Sequence, residues 1–276
     1  MSLAAMPYTT FLLLLEFAAG CQAVLMLAVL KGEISKGFIK MSAVLVLATA
    51  VPALWITNIL GGVDVVADYP LATEWLTPLR VVVAAFLVLS ALYNLLVWRE
   101  YLEPSKPLGW LTAAAGAVAI VLAAAYVQLP TWGYGGTLVS LLAGALSLGA
   151  VSLGMTLGHW YLVTPRLPEQ PLNRITLLLL IVLAAQTLFV VANLFIPARY
   201  VPAIDGSESG LLQNPVLWLR LGIGLLFPLA LAYMAWQSSV IRAMMSATGL
   251  LYIAMGGVLA GEVLARALLF STARTL

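Results

Sequence analysis

The sequence predicts an all-α integral membrane protein, a bundle of eight transmembrane helices forming a single polytopic membrane domain over residues 1–276, with both termini on the outer, periplasmic side. Three observations carry that expectation. The chain is 63% hydrophobic and 9% charged, with a mean hydropathy of +1.06, whereas soluble domains carry about 25% charged residues. Apolar windows of the roughly 20 residues needed to cross a bilayer recur along the chain, cut by polar, Pro-rich and Gly-rich punctuation. Basic residues gather on alternate connections between those windows.

The first window, Tyr8 to Leu30, follows a segment from Met1 to Thr10 without Lys or Arg and is too long for the apolar core of a secretory signal, so it is expected to remain as a helix. The second, Phe38 to Leu60, opens after Lys36 and closes at Gly61. The third, Leu76 to Trp98, stops at Arg99, and the fourth, Leu108 to Gln128, opens after Pro107. The fifth runs from Gly136 to Val163 and the sixth from Leu172 to Ile196, each ended by a nearby proline. The seventh, Pro215 to Trp236, and the eighth, Met245 to Phe270, are separated by a short polar stretch containing Arg242. No sequence repeat, low-complexity tract or separate loop domain is recognisable.

Connections after the first, third, fifth and seventh spans hold Lys31, Lys36, Lys40, Arg99, Lys106, Arg166, Arg174 and Arg242, while the opposite side holds only Arg199 and Arg274. Lys and Arg are retained on the cytoplasmic side, which places the chain in the cytoplasmic (inner) membrane with its N and C termini outside. The outer connections are acidic, with Asp64, Asp68, Glu74, Asp205 and Glu208. The two longest, Gly61 to Glu74 and Pro197 to Asn214, are where an extrinsic partner could sit.

Composition removes several function classes. A net charge of +2 with no basic run leaves nothing to bind a nucleic-acid backbone. The single cysteine, Cys21, cannot form an internal disulfide or supply an iron–sulfur cluster, and there is no CxxCH motif. The single histidine, His159, excludes a bis-histidine haem held within the chain and a multi-histidine metal site. No phosphate-binding GxxxxGK[ST] or dinucleotide-binding GxGxxG loop is present. Neither metal nor haem is expected in this chain, and any redox centre must come from another.

Three arginines and two glutamates remain inside the spans, where an ionisable side chain is costly unless paired and marks a functional site by default. Glu16, Arg80, Arg220, Glu262 and Arg266 all fall in the outer half. Glu262 and Arg266 are four apart and share a helix face, beside a small-residue face of Gly257 and Gly261. Such a set can be a buried salt-bridge lattice fixing helix register or a proton-exchanging pocket. In the second reading Glu262 and Glu16 are proton acceptors, and Arg266, Arg80 and Arg220 stabilise charge on a bound ligand. His159, in Gly158-His159-Trp160-Tyr161-Leu162 at the cytoplasmic end of the fifth span, fits an interfacial aromatic belt. Its sharper alternatives are a group admitting protons or one axial haem ligand completed elsewhere. Gln22, Asn58, Asn94, Gln128, Gln186 and Asn193 read as interhelical packing polars, and Gly144, Gly149, Gly154 and Gly158 as sites of close helix approach.

Three stretches resemble a known family: Ala18 to Ile34 (AAGCQAVLMLAVLKGEI), the outer turn Leu129-Pro130-Thr131-Trp132 with Gly133 and Tyr134 after it, and Leu259 to Phe270 (LAGEVLARALLF). They are similar to the NrfD-like membrane anchors of the dimethyl-sulfoxide reductase and polysulfide reductase type. Glu262 and Arg266 match that family's terminal Gly-Glu-x-x-x-Arg, with Ala265 where a glycine is expected. The resemblance implies a haem-free membrane subunit that binds a quinone or quinol, menaquinone or ubiquinone, near the outer face. It also implies an extrinsic iron–sulfur subunit that exchanges electrons with this chain and connects to a molybdenum-type catalytic subunit. Such a subunit completes a quinol-active site and does not catalyse the net reaction alone. The competing readings are a structural scaffold of a larger respiratory or photosynthetic assembly, a transporter, which repeats and midplane charges would favour, and a lipid-acting enzyme, for which no catalytic constellation is visible.

Overall fold

The computed structural model describes residues 3–30, 34–128, 133–164, 167–196 and 211–276. Lys31, Arg166, Arg199, Asp205, Glu208 and the Leu129-Pro130-Thr131-Trp132 turn lie outside the described residues, as does most of the connection from Pro197 to Asn214. Among the described residues, eight helical segments are long and apolar enough to cross a bilayer.

These segments follow the hydropathy windows closely. They are α1 (Met6–Val29), α2 (Lys36–Ile59), α3 (Leu76–Trp98), α4 (Leu102–Tyr126), α5 (Gly133–Val163) and α6 (Gln170–Leu194). The seventh span is broken, with α7 (Pro215–Leu221) joined to α8 (Phe227–Val240) through a π-helical turn (Gly222–Leu226), and α9 (Met244–Thr272) completes the chain. The largest departure from expectation is α4, which starts six residues earlier than Leu108, because Pro104 and Pro107 fall in its opening turns. Pro107, the sixth residue, gives up only the one N–H that would reach the Glu103 carbonyl, and the helix continues through it. The turn before it is tight, with Glu100 at φ +65°.

Helix order repeats. Each of α1 to α4 packs on the next and α4 returns to α1, and α5, α6, the α7–α8 span and α9 form a second ring in the same order. The two four-helix rings meet through their first members, α1 and α5. The sequence shows no such repeat, because an apolar lipid-facing or packed position accepts Leu, Val, Ile or Ala interchangeably while span length and order persist. The lack of a sequence repeat is therefore no argument against a transporter, since parallel topological repeats occur among them.

With eight spans the chain finishes at the end where it began, and Tyr8 of α1 lies 6.1 Å from Phe270 of α9, ring to ring. At this termini end a two-stranded hairpin, β1 (Val65–Val66) and β2 (Tyr69–Pro70), turns through Ala67 and Asp68, both at positive φ. The hairpin is pinned to the bundle. Tyr69 is fully buried, donates its hydroxyl to the Val127 carbonyl at 2.6 Å and meets Phe270 edge-on. Burial pushes the Tyr69 phenol above its ordinary range. Val63 and Val65 remain exposed beside Asp64 and Glu74. At the opposite end stand Lys36, Lys40, Arg99, Lys106, Arg174 and Arg242. Glu100 accepts from Lys40 at 3.2 Å and pairs with Lys36, and those two ammonium groups hold its carboxyl below the usual range.

The crossing of α1 and α5 is the tightest in the molecule's core. A Cβ at Gly20 would lie 1.7 Å from the Ala145 carbonyl oxygen, and one at Gly149 would lie 2.3 Å from the Gly20 backbone. In lipid there is no hydrophobic drive between helices, so such backbone contact, allowed only by glycine, is what van der Waals association depends on. Of the four glycines singled out on α5, 144, 149 and 158 have no room for a methyl group, while Gly154 would meet Ile175 at 3.3 Å.

Gly149→Ala is expected to destabilise the protein by roughly 1–3 kcal/mol or more through overpacking against backbone. Gly256→Ala, where a Cβ meets nothing within 4 Å, is expected to be neutral or slightly stabilising. Unfolding titrations of both variants in mixed micelles check the contrast, and equal stabilities would contradict the proposed crossing.

A buried charge network beside a lateral cavity

Four of the five expected membrane charges converge. Glu16 projects from α1, Arg220 from α7, and Glu262 and Arg266 from successive turns of α9, all with 2% or less of their surface exposed. By helical rise they lie roughly 8 to 15 Å from their helix ends at the termini end of the bundle. Arg266 is the hub. Its Nη2 lies 2.6 Å from Glu16 Oε1 and 3.1 Å from Glu262 Oε2, and its Nε donates to Glu16 Oε2 at 3.1 Å. The remaining donors reach α5, where Nη1 meets Ser140 Oγ at 3.1 Å and Nη2 the Ser140 carbonyl at 3.3 Å. The guanidinium fork thus ties α1, α5 and α9 together.

Glu262 is held from three sides. Besides Arg266, its Oε1 accepts from Arg220 Nη2 at 3.2 Å and from Gln186 Nε2 of α6 at 2.9 Å. Two arginines and two glutamates pair within the network, each carboxyl with at least one guanidinium.

Glycines make the room. A Cβ at Gly144 would fall 2.7 Å from Glu262 Oε2, 2.8 Å from Arg266 Nη2 and 2.9 Å from Glu16 Oε1. Gly224, within the π-helical turn, abuts Gly261, and a Cβ on Gly261 would come within 2.8 Å of Arg220 Nη1. Gly257 faces the same turn, and a Cβ there would lie 3.2 Å from the Ile223 carbonyl oxygen. The small-residue face expected on the last span therefore receives the broken seventh span. A π-helical turn introduces an extra residue and often marks a functional position; here it begins two residues after Arg220.

Arg220 is incompletely used. Its Nε and Nη1, and Gln186 Oε1, are buried with no hydrogen-bond partner among the described residues. Both side chains line a cavity of about 50 Å³ between α5, α6 and α7, whose other walls include Val139, Ala143, Ala185 and Phe189. Val139 and Ala185 are exposed on the outside of the bundle, so the cavity opens sideways between α5 and α6. Unsatisfied donors beside a cavity are costly when buried, so this wall of the bundle carries unused hydrogen-bonding capacity.

Arg80 is placed elsewhere. Its Nε donates to the Thr57 carbonyl at 2.8 Å and its Nη2 to the Leu60 carbonyl at 2.5 Å, satisfying the C-terminal end of α2. No bond joins it to the other four among the described residues. His159 lies at the opposite end of the bundle, exposed, with its Nδ1 3.4 Å from the Tyr252 hydroxyl, and its neighbour Trp160 packs against Gly37. Gln186 and Gly144 belong to the site although the sequence offered them only as packing residues, and Ser140, which the sequence did not single out, belongs to it as well. A polar residue deep in a span, such as Gln186, was the available signal. The pairing of Gly222 and Gly224 just after an intramembrane arginine was another.

The chain matches no family model, no curated protein and no solved structure.

Arg266→Leu is expected to destabilise the protein by about 3–5 kcal/mol, because it strands two buried carboxylates. Adding Glu16→Leu is expected to restore most of that loss, since Glu262 keeps Arg220 and Gln186. A double-mutant cycle of unfolding free energies measures the coupling; additive losses would show that Glu16 and Arg266 do not interact.

Proposed function

We propose that this chain is the quinone- or quinol-interacting integral membrane subunit of a respiratory-type oxidoreductase complex. In this reading it lies in the cytoplasmic membrane with both termini outside and exchanges electrons with an extrinsic iron–sulfur subunit on that face. That subunit connects to a molybdenum-type catalytic subunit. The observation that carries the reading is the set of unpartnered donors on Arg220 and the free Gln186 carbonyl, buried within one half of the bundle on a cavity that opens to lipid. The resemblance of Leu259 to Phe270 to the NrfD-like anchors points to the same half.

A bound quinol supplies two electrons and two protons. Arg220 Nε and Nη1 orient a ligand oxygen, and Gln186 Oε1 accepts a hydroxyl proton in a hydrogen bond. Glu262, bonded to both side chains, is the proton acceptor next to them, and Glu16, coupled through Arg266, is the second. Arg266 and Arg220 offset charge that develops on the ligand oxygen in a site from which bulk water is excluded. The protons leave toward the termini face, and the electrons pass to the iron–sulfur centre of the partner. Arg80 caps α2 and takes no part.

A second reading, a structural scaffold subunit, is favoured by one observation. Arg266, Glu16 and Glu262 satisfy one another with Ser140 and Gln186, as a register-fixing lattice does.

The complex purified in mild detergent is expected to yield extractable quinone and to bind a tight quinol analogue in a fluorescence-quench titration. Glu262→Gln, which keeps the shape and part of the hydrogen bonding, is expected to assemble normally and to lose quinol-linked electron transfer by about 100-fold or more, the range of a lost acid–base group. Normal turnover in that variant, or no quinone and no analogue binding in the intact complex, would leave the scaffold reading. Thiol labelling of an Arg274→Cys variant by an impermeant reagent from the periplasmic side checks the orientation.

A further inference from the structure

We infer that the cavity between α5, α6 and α7 is a lateral binding site for the polar edge of a neutral, lipid-soluble ring compound, reached from the bilayer through a mouth between Val139 and Ala185. The inference rests on the functional reading above and adds the position, polarity and route of the site.

Charge sets the ligand class. Arg220 already has a charge partner, as its Nη2 binds the Glu262 carboxylate at 3.2 Å. An anionic headgroup such as a phosphate or carboxylate would add uncompensated charge beside Glu262 in a low-dielectric setting, which costs far more than a neutral polar group. What is unfilled is directional hydrogen bonding. Arg220 offers two donors and Gln186 one acceptor, all buried. A hydroxyl uses both kinds at once, accepting from Arg220 while donating to Gln186. A carbonyl uses the Arg220 donors alone. The site is thereby suited to both a phenolic hydroxyl and the carbonyl formed from it.

Size sets the pose. The cavity is about 50 Å³, while a pocket enclosing a whole small molecule holds roughly 300–1,000 Å³. It therefore admits one oxygen and the adjoining ring edge. The rest of the ring lies in the mouth against Phe189 and Ala143, and any apolar tail stays in the lipid. The exposed faces of Val139 and Ala185 leave that path open, and no charged side chain is among the residues of the mouth. Ala185 and Ala143 matter because they are small, and a large side chain at Ala185 would close the opening without touching the charge network.

The test uses the native complex in membranes. Cys21 is buried and is the chain's single cysteine, so an introduced thiol is the only reachable one in this subunit. Ala185→Cys and Leu188→Cys, the latter 71% exposed on the same helix, are labelled with a membrane-soluble maleimide and scored on this chain by mass. The probe ligand is a fully substituted benzoquinone with a short alkyl tail, which cannot add to thiols at a free ring position. At about ten times its dissociation constant, it is expected to slow labelling of Ala185→Cys about tenfold by mass action and to leave Leu188→Cys unchanged. A second variant, Ala185→Trp, is expected to abolish binding of the probe while the complex assembles. Absence of protection at Ala185→Cys, equal protection at both positions, or undiminished binding to Ala185→Trp overturns the inference.

The outcomes separate this site from the broader reading. Protection at Ala185→Cys in a complex without quinol-linked turnover upholds the site and refutes the electron-transfer function. Turnover that Glu262→Gln abolishes, without protection at Ala185→Cys, upholds the function and refutes this site.

Discussion

Arg266 is the group on which the remaining arrangement depends. A guanidinium buried in an apolar bundle must have its donors satisfied and its charge matched, and among the described residues its partners come from three different helices: Glu16 on α1, Ser140 on α5 and Glu262 one turn away on α9. The same arrangement brings α1 and α5 into backbone contact, which forbids a side chain at Gly20 or Gly149, and leaves no room for one at Gly144, where a Cβ would strike the charged groups themselves. Glycines and charges that look independent along the sequence are therefore one constraint. Replacing the whole lattice by apolar residues of the same volume is often neutral or stabilising, so cohesion alone does not account for its polarity.

The topological repeat sharpens this point. Arg80 is the fifth residue of α3 and Arg220 the sixth of α7, the third span in each half. Two arginines thus stand at comparable depth in comparable helices. In the first half no ion pair joins Arg80 to a carboxylate among the described residues, and it turns to the carbonyls that end α2. In the second half Glu262 captures one nitrogen of Arg220, and the π-helical turn after it sets the helix against α9 through Gly224 and Gly261. Arg80 is half-buried with carbonyl partners for both edges, a structural solution. Arg220 is buried with donors left over, and that asymmetry separates a cap from a site.

The spans were legible because bilayer thickness imposes a length and an apolar content that any sequence must obey. Glu262 and Arg266 were legible as a pair because spacing of four fixes a shared helix face. The inclusion of Glu16 and Arg220 followed from the cost of an unpaired intramembrane charge, and depth alone placed them in the same half. Depth also misled, because Arg80 has the right depth in the wrong half of the repeat. What brings α6 beside α9, and so Gln186 to Glu262, is helix order around the ring, which is not encoded in the periodicity of any one span. The early start of α4 was hidden by Pro104 and Pro107, which read as terminators although a proline in an opening turn is tolerated. The hairpin holding Tyr69 was hidden by its shortness.

Charge pairing and position together define what the network can do. A buried cluster with excess positive charge would draw anions, and one with excess negative charge would draw cations; a paired cluster with spare hydrogen-bonding capacity does neither. Its unsatisfied groups favour a neutral partner that both accepts and donates, and the opening between α5 and α6 favours one that partitions into lipid. Two carboxylates linked by one guanidinium can also relay a change in protonation from Glu262 to Glu16 without moving a helix, since Arg266 contacts both. The same lattice that fixes the packing of three helices thus stands directly behind Arg220 and Gln186, the two polar side chains that meet Glu262 and line the cavity.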